Sequence, residues 1–255
     1  MTDSHVHVGW FVDRYHSPDK VSKSLRNIGV DTIAVSSTST CAEEYELILD
    51  EFSWLYEEWK ENLFPVLWVT PKMLMDNGLK KLLDSDINWK LIKMHWSAHP
   101  EFYNNSTFID NLLSNERLKA LPILLHTGEF PECHASVFTH LIATHTERNF
   151  ILAHGRPLQE TSQLLRQYPN VFVDTAFMPI SHIQKLIKLG FTDKIIWGSD
   201  IPINLHFIPS ESSETYITKN IKELRDLVPE NLFIKITSTN FLRLFNVNIS
   251  EKRLN

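Results

Sequence analysis

Eight short apolar runs recur along this 255-residue chain, and their spacing constrains its fold more than any other feature. They are Ser4–Val8, Asp31–Val35, Phe64–Val69, Leu91–His95, Ile123–His126, Phe150–His154, Val171–Asp174 and Ile195–Gly198. Each is bounded by polar, Gly or Pro residues, as buried strands are. Successive runs start 21 to 33 residues apart, which leaves room for one helix between strands. The spacers carry helical signals. Ser17 precedes Pro18 as a cap precedes a first-turn proline, and an amphipathic segment follows to Ile28. Cys41–Glu61, Lys72–Leu83, Phe108–Lys119, Glu132–Glu147, Leu158–Tyr168 and Ile180–Leu189 read as the other helices. Gly190 stands where a helix stop belongs. Strands alternating with helices imply a parallel sheet with right-handed crossovers. Eight such units in this length predict an α/β fold, a single (β/α)8 TIM barrel forming one domain over 1–255. A doubly wound open sheet is the alternative.

Glycine placement excludes several functions. The glycines stand at 9, 29, 78, 128, 155, 190 and 198, too far apart for a dinucleotide fingerprint or a phosphate-cradling loop. The net charge of −6 speaks against a nucleic-acid binder. Cys41 and Cys133 form no disulfide framework or paired-Cys zinc ribbon, and both read as incidental thiols. MTDSHVHVGW lacks a signal-peptide pattern, and no apolar run approaches the ~20 residues of a membrane span. A cytoplasmic protein with no membrane partner is therefore expected.

In a (β/α)8 barrel the chemistry sits where the strands end. Those ends carry Asp3, His5 and His7, then Lys93 and His95, then His126, His154, Asp174 and Asp200. His5 and His7 are two apart, so on a strand both point to one face while Val6 and Val8 take the other. Two imidazoles on one face can chelate an ion. Each of His126, His154 and Asp200 has an ordinary reading as a satisfied core residue or a cap. Their recurrence at one end of successive strands favours convergence. Four imidazoles and a carboxylate there suit a divalent first-row metal.

These residues resemble a known family. Asp3-x-His5-x-His7, His126-Thr127-Gly128, His154-Gly155 and Gly198-Ser199-Asp200 look like the amidohydrolase superfamily, in the branch of metal-dependent hydrolases and non-oxidative decarboxylases. Lys93-Met94-His95 resembles that branch's strand-four motif, and Asn240-x-x-Arg243-Leu244-Phe245 its C-terminal helix. The resemblance implies that His5, His7, His126 and Asp200 bind the metal. It makes His154 either a second-metal ligand or a base. In binuclear branches a carboxylated lysine bridges two metals, and Lys93 is either that bridge or a strand-end lysine. Zinc is expected first, with Mn, Fe or Co as alternatives. Two departures stand out: the chain is compact, and Arg156 follows His154-Gly155 where small residues are expected.

The mechanism expected from this set is hydrolysis of an ester, lactone or amide of a small molecule by water made acidic at the metal. Asp200 accepts the proton and passes it on, and His154 acts as base or steadies the oxyanion. Arg156 pairs with a substrate carboxylate or phosphate, or makes a surface salt bridge instead. His95 lines the substrate pocket or takes a core or rim role, and Trp96 contacts substrate with Trp10 and Phe177 on an apolar wall, the alternative for all three being ordinary packing. Glu129 orients His126 or caps the next segment. Non-oxidative decarboxylation of an aromatic or enol-type acid is the alternative activity, and a catalytically dead binding barrel a third reading. A homodimer is the assembly that the family resemblance suggests.

Overall fold

The computed structural model describes residues 1–99 and 106–245. Among them are nine strands: β1 (Thr2–Phe11), β2 (Arg14–His16), β3 (Thr32–Ser37), β4 (Leu63–Trp68), β5 (Leu91–Met94), β6 (Ile123–His126), β7 (Phe150–Ala153), β8 (Val171–Asp174) and β9 (Ile195–Ile196). They form one sheet in the order β2-β1-β3-β4-β5-β6-β7-β8-β9. Every pairing from β1 to β9 is parallel, and only β2 runs antiparallel, on the end of β1. The sheet is curled. The backbone after β9 returns to β1 through Ser4 N–H to Trp197 O (3.1 Å), Asp200 N–H to His5 O (2.7 Å) and His7 N–H to Ile201 O (2.8 Å). The architecture is therefore mixed α/β, with the eight expected strands present.

Alternation along the strands sorts two cores. Ile33, Val35, Leu67, Ile92, Ile123, Leu125, Phe150, Leu152, Val171 and Val173 face the helices in the larger cluster. Ala34, Val66, Leu91, Leu124, Ile151, Phe172 and Ile196 point the other way and meet each other. At the start of β4, Phe64 meets Phe241 of the C-terminal helix at 5.1 Å between ring centroids. Burying such a ring stabilises by about 1.5–3 kcal/mol. One pleat further toward the strand ends, the same inner face carries Trp68, Lys93, His126 and Asp174. The apolar core thus fixes where the polar side chains point.

The helices include α1 (Pro18–Asn27), α2 (Tyr45–Trp59), α7 (Leu158–Gln167) and α8 (Ile180–Lys188), of which all but α2 lie close to expectation. Other spacers depart from it. The segment read as one helix over Lys72–Leu83 is two, α3 (Pro71–Met75) and α4 (Gly78–Leu83), because Asn77 takes a left-handed φ of 63°. Cys41–Glu61 begins with a short 3-10 turn and a left-handed Glu43, so α2 starts only at Tyr45. Glu132–Glu147 holds short 3-10 turns and the brief α6 (Thr139–Thr144), and α5 (Ser106–Leu113) ends short of Lys119. The strand β2 and the helices α9 (Asn204–Phe207) and α10 (Ser213–Leu227) were not expected.

Behind β3 lies a buried acid. Glu51 of α2 accepts hydrogen bonds from Ser37 Oγ (2.5 Å) and Ser39 Oγ (2.9 Å). Burial pushes its carboxyl above the ordinary 4.5, and the serine hydroxyls only partly counter this. The folded state therefore holds a proton that the unfolded chain has already released once pH passes 4.5. Stability falls as pH rises from there to the folded value. Glu51→Gln is expected to flatten that fall, measured as urea-unfolding free energy between pH 5 and 8. An unchanged slope would exclude Glu51 as its source.

Candidate metal centre and active site

The β1 pleat brings His5 and His7 to the inner face, and the return of the chain after β9 sets Asp200 beside them. All three are buried, with ligand atoms within 4.8 Å of one another. His7 Nε2 lies 3.2 Å from His5 Nε2 and 2.9 Å from Asp200 Oδ1. His154 Nε2 stands 3.8 Å from Asp200 Oδ2, and 3.2 Å from His126 Nδ1. His126 is grouped more tightly with Glu129 and Cys133 than with the β1 pair. The expected set therefore meets as a buried triangle with two further histidines beside it.

The outer ring nitrogens decide what the inner ones offer. His5 Nδ1 donates to Asp174 Oδ2 at 2.8 Å. His154 Nδ1 donates to Ala176 O at 3.0 Å, and His126 Nε2 to Glu129 Oε2 at 3.0 Å. A carbonyl or carboxylate oxygen accepts only. Each neutral ring must then turn a lone pair inward, from His5 Nε2, His154 Nε2 and His126 Nδ1. Burial brings His5 and His7 down to about 3, with the Lys93 charge adding to the effect. Burial, helped by His126, does the same to His154. These rings are neutral at pH 7.

Lone pairs facing one another at 3.2 Å call for a cation. Lys93 Nζ donates to His5 Nε2 (2.8 Å) and His7 Nε2 (2.9 Å). Burial lowers Lys93 to about 8, opposed by Asp200 and Asp174, so the side chain is still mostly an ammonium at pH 7. It lies 4.5 Å from the Trp68 ring centroid. Asp200 Oδ1 is buried with no hydrogen-bond donor among the described residues. A donor set of neutral imidazole nitrogens and an unsatisfied carboxylate oxygen, converging where one cation already sits, fits a divalent metal.

The backbone supports this placement. His154 and Asp200 both hold left-handed φ values, 67° and 60°, which turn their side chains back toward the cavity. At Gly198 a Cβ would come within 2.9 Å of His5 Cβ, so only glycine lets the segment after β9 lie this close to β1.

A cavity of about 690 Å³ opens over the site. His95 lines it, stacked between Trp68 (5.4 Å) and His126 (3.7 Å). Arg156 lines it too, with Nη1 on Glu129 Oε1 at 2.7 Å and Nη2 on Phe177 O at 3.2 Å. Trp10 and Phe177 stand on its wall. Trp96 does not. It is buried against Phe138 with ring centroids 5.0 Å apart, because the strand ends at Met94 and the next turn carries the indole into the outer core. Two contributors went unassigned in the sequence. Asp174 closes β8 and also accepts from the N–H groups of His154 (2.8 Å) and Ala176 (3.1 Å). Ser36, in register with His7, places its Oγ 2.9 Å from His7 Nδ1. Asp174 shares the inner parity of Phe172, a signal the sequence did contain.

Comparison with known proteins follows the same line. No curated protein sequence matches the chain. A probable 2-pyrone-4,6-dicarboxylic acid hydrolase from Acinetobacter baumannii, with citric acid bound, aligns with a TM-score of 0.65 at 15% identity, covering 96% of this chain and 99% of that one. Amidohydrolase 2 from Bifidobacterium longum subsp. infantis aligns with a TM-score of 0.58 at 18% identity, covering 97% and 98%. A 2,6-dihydroxybenzoate decarboxylase in complex with 2,6-dihydroxybenzoate aligns with a TM-score of 0.54 at 14% identity, covering 90% and 88%. At such identities the likeness is one of fold. The amidohydrolase family model matches residues 118–246, half of the sequence, and the chain belongs to that family of enzymes.

Proposed function

We propose that this enzyme is a metal-dependent hydrolase of a small-molecule ester, lactone or amide, built as a single (β/α)8 barrel domain. The observation that carries the reading is the inward lone pairs of His5, His154 and His126 around an unsatisfied Asp200 oxygen. His5, His7 and Asp200 would hold the ion, with His126 and His154 beside them. Zinc suits neutral imidazoles and a carboxylate, and Mn, Fe or Co share the preference. Such an ion, when bound, supplies Lewis acidity and makes water a stronger acid.

The chain's own residues do the rest. Asp174 fixes the tautomer of His5 and, through its second oxygen, the backbone of His154. Asp200 takes the proton of the attacking water and returns it to the leaving oxygen or nitrogen as the C–O or C–N bond breaks. His154 acts through Nε2 as an acceptor, because its Nδ1 proton is committed to Ala176. His95 and the aromatic wall exclude water around the scissile group.

The test is product analysis of zinc-reconstituted protein with aryl and alkyl esters, lactones and amides. Hydrolysis products without carbon dioxide are expected. Carbon dioxide released from an aromatic acid, with no hydrolysis, would transfer the chain to the decarboxylase reading.

A further inference from the structure

The charges on the cavity wall define what can enter. Among the described residues, its charged side chains are Lys93, Arg156, Glu129 and Asp200, two of each sign. Lys93 lies at the floor between the histidines. Arg156 is engaged by Glu129, and Glu129 is anchored in turn by His126. Among the described residues, no wall cation away from the floor is without an anionic partner.

Besides the histidines, Thr38 and Ser97, the rest of the wall is mainly apolar. The exposed large hydrophobic residues of the described chain are Trp10, Val12, Phe130, Phe207, Met75, Val137 and Leu189, and the first four surround this one cavity. Phe207 is 66% exposed and Phe130 is 58% exposed, a cost in water that a ligand's apolar body would remove.

We infer that the substrate is an apolar, aryl- or alkyl-bodied molecule with at most one anionic group, presented to the floor, and that the cavity rejects dicarboxylates. The inference rests on the proposed site as the place where substrate binds, and it holds whichever bond is broken. A second carboxylate would leave water for a guanidinium whose charge Glu129 already balances, next to the Glu129 carboxylate itself. Glu129 is therefore the specificity-determining residue.

The test is calorimetric binding of two acids of nearly equal shape, 3-isopropylbenzoate and isophthalate (benzene-1,3-dicarboxylate). Both offer the same first carboxylate, so the comparison isolates the group facing the apolar wall. It is made on protein with and without reconstituted zinc and needs no turnover, so it stands apart from the hydrolase reading. The wild type is expected to bind 3-isopropylbenzoate at least about tenfold tighter. Glu129→Gln frees Arg156 and is expected to tighten isophthalate several-fold. Phe207→Ala, at the exposed rim, is expected to weaken 3-isopropylbenzoate several-fold and leave isophthalate unchanged. Equal or tighter binding of isophthalate by the wild type would overturn the inference. Isophthalate affinity unaltered in folded Glu129→Gln would overturn the role of Glu129.

Discussion

Asp200→Asn is expected to lower kcat by about 10²- to 10⁴-fold, the range in which a positioned acid–base group contributes. Three features set this expectation. Its Oδ1 faces His5 and His7, at 3.4 Å and 2.9 Å from their Nε2 atoms, without a hydrogen-bond donor. Its Oδ2 faces His154 Nε2 at 3.8 Å. Its backbone N–H donates to His5 O, so the side chain cannot drift without parting the segment after β9 from β1. Asparagine keeps the shape and loses the proton acceptor. The loss should therefore fall on kcat while the unfolding transition moves little. Steady-state kinetics of a folded Asp200→Asn variant that retains wild-type kcat would remove Asp200 from the chemistry.

Asp174→Asn acts one step back. The carboxylate accepts three hydrogen bonds, two on Oδ1 from backbone N–H groups and one on Oδ2 from His5 Nδ1. An amide offers one acceptor oxygen, so its NH2 must face a donor whichever way it turns. If the oxygen stays on the backbone, His5 flips its tautomer and loses the inward lone pair. Carboxylates behind ligating histidines contribute about 10–100-fold to metal affinity, and that loss is expected here. Burial pushes the Asp174 carboxyl up, and the backbone donors of His154 and Ala176 pull against it. Because a buried donor is left unpaired, the variant is also expected to lose about 1–3 kcal/mol of stability. Metal titration and urea unfolding of the same preparation separate the two effects. Wild-type metal affinity in Asp174→Asn would show that Asp174 does not set the His5 tautomer.

How much of this was legible in the sequence depends on distance along the chain. The histidine pair on β1 reads directly, because a strand repeats every two residues and Val6 and Val8 mark the other face. Lys93, His126 and Asp174 follow by the same parity from Leu91, Leu124 and Phe172. What the sequence hides is pairing across the sheet. The contact of His5 with Asp174, and of β1 with the segment after β9, joins residues far apart that no local pattern couples. Trp96 shows the opposite error. It stands next to a strand end in the sequence, but beyond Met94 the period of two no longer governs direction, and packing against Phe138 does. Helices over 72–83 and 132–147 break into shorter pieces because left-handed Asn77 and short 3-10 turns interrupt a pattern that apolar spacing alone carries through.

The central claim is that His5, His7 and Asp200 are built around a divalent ion. Calorimetric titration of metal-free wild-type protein with zinc, beside the double variant His5→Ala/His7→Ala, tests it most directly. One tightly held ion is expected in the wild type and none in the folded variant. Absence of binding in the wild type, or equal binding in both proteins, would contradict it.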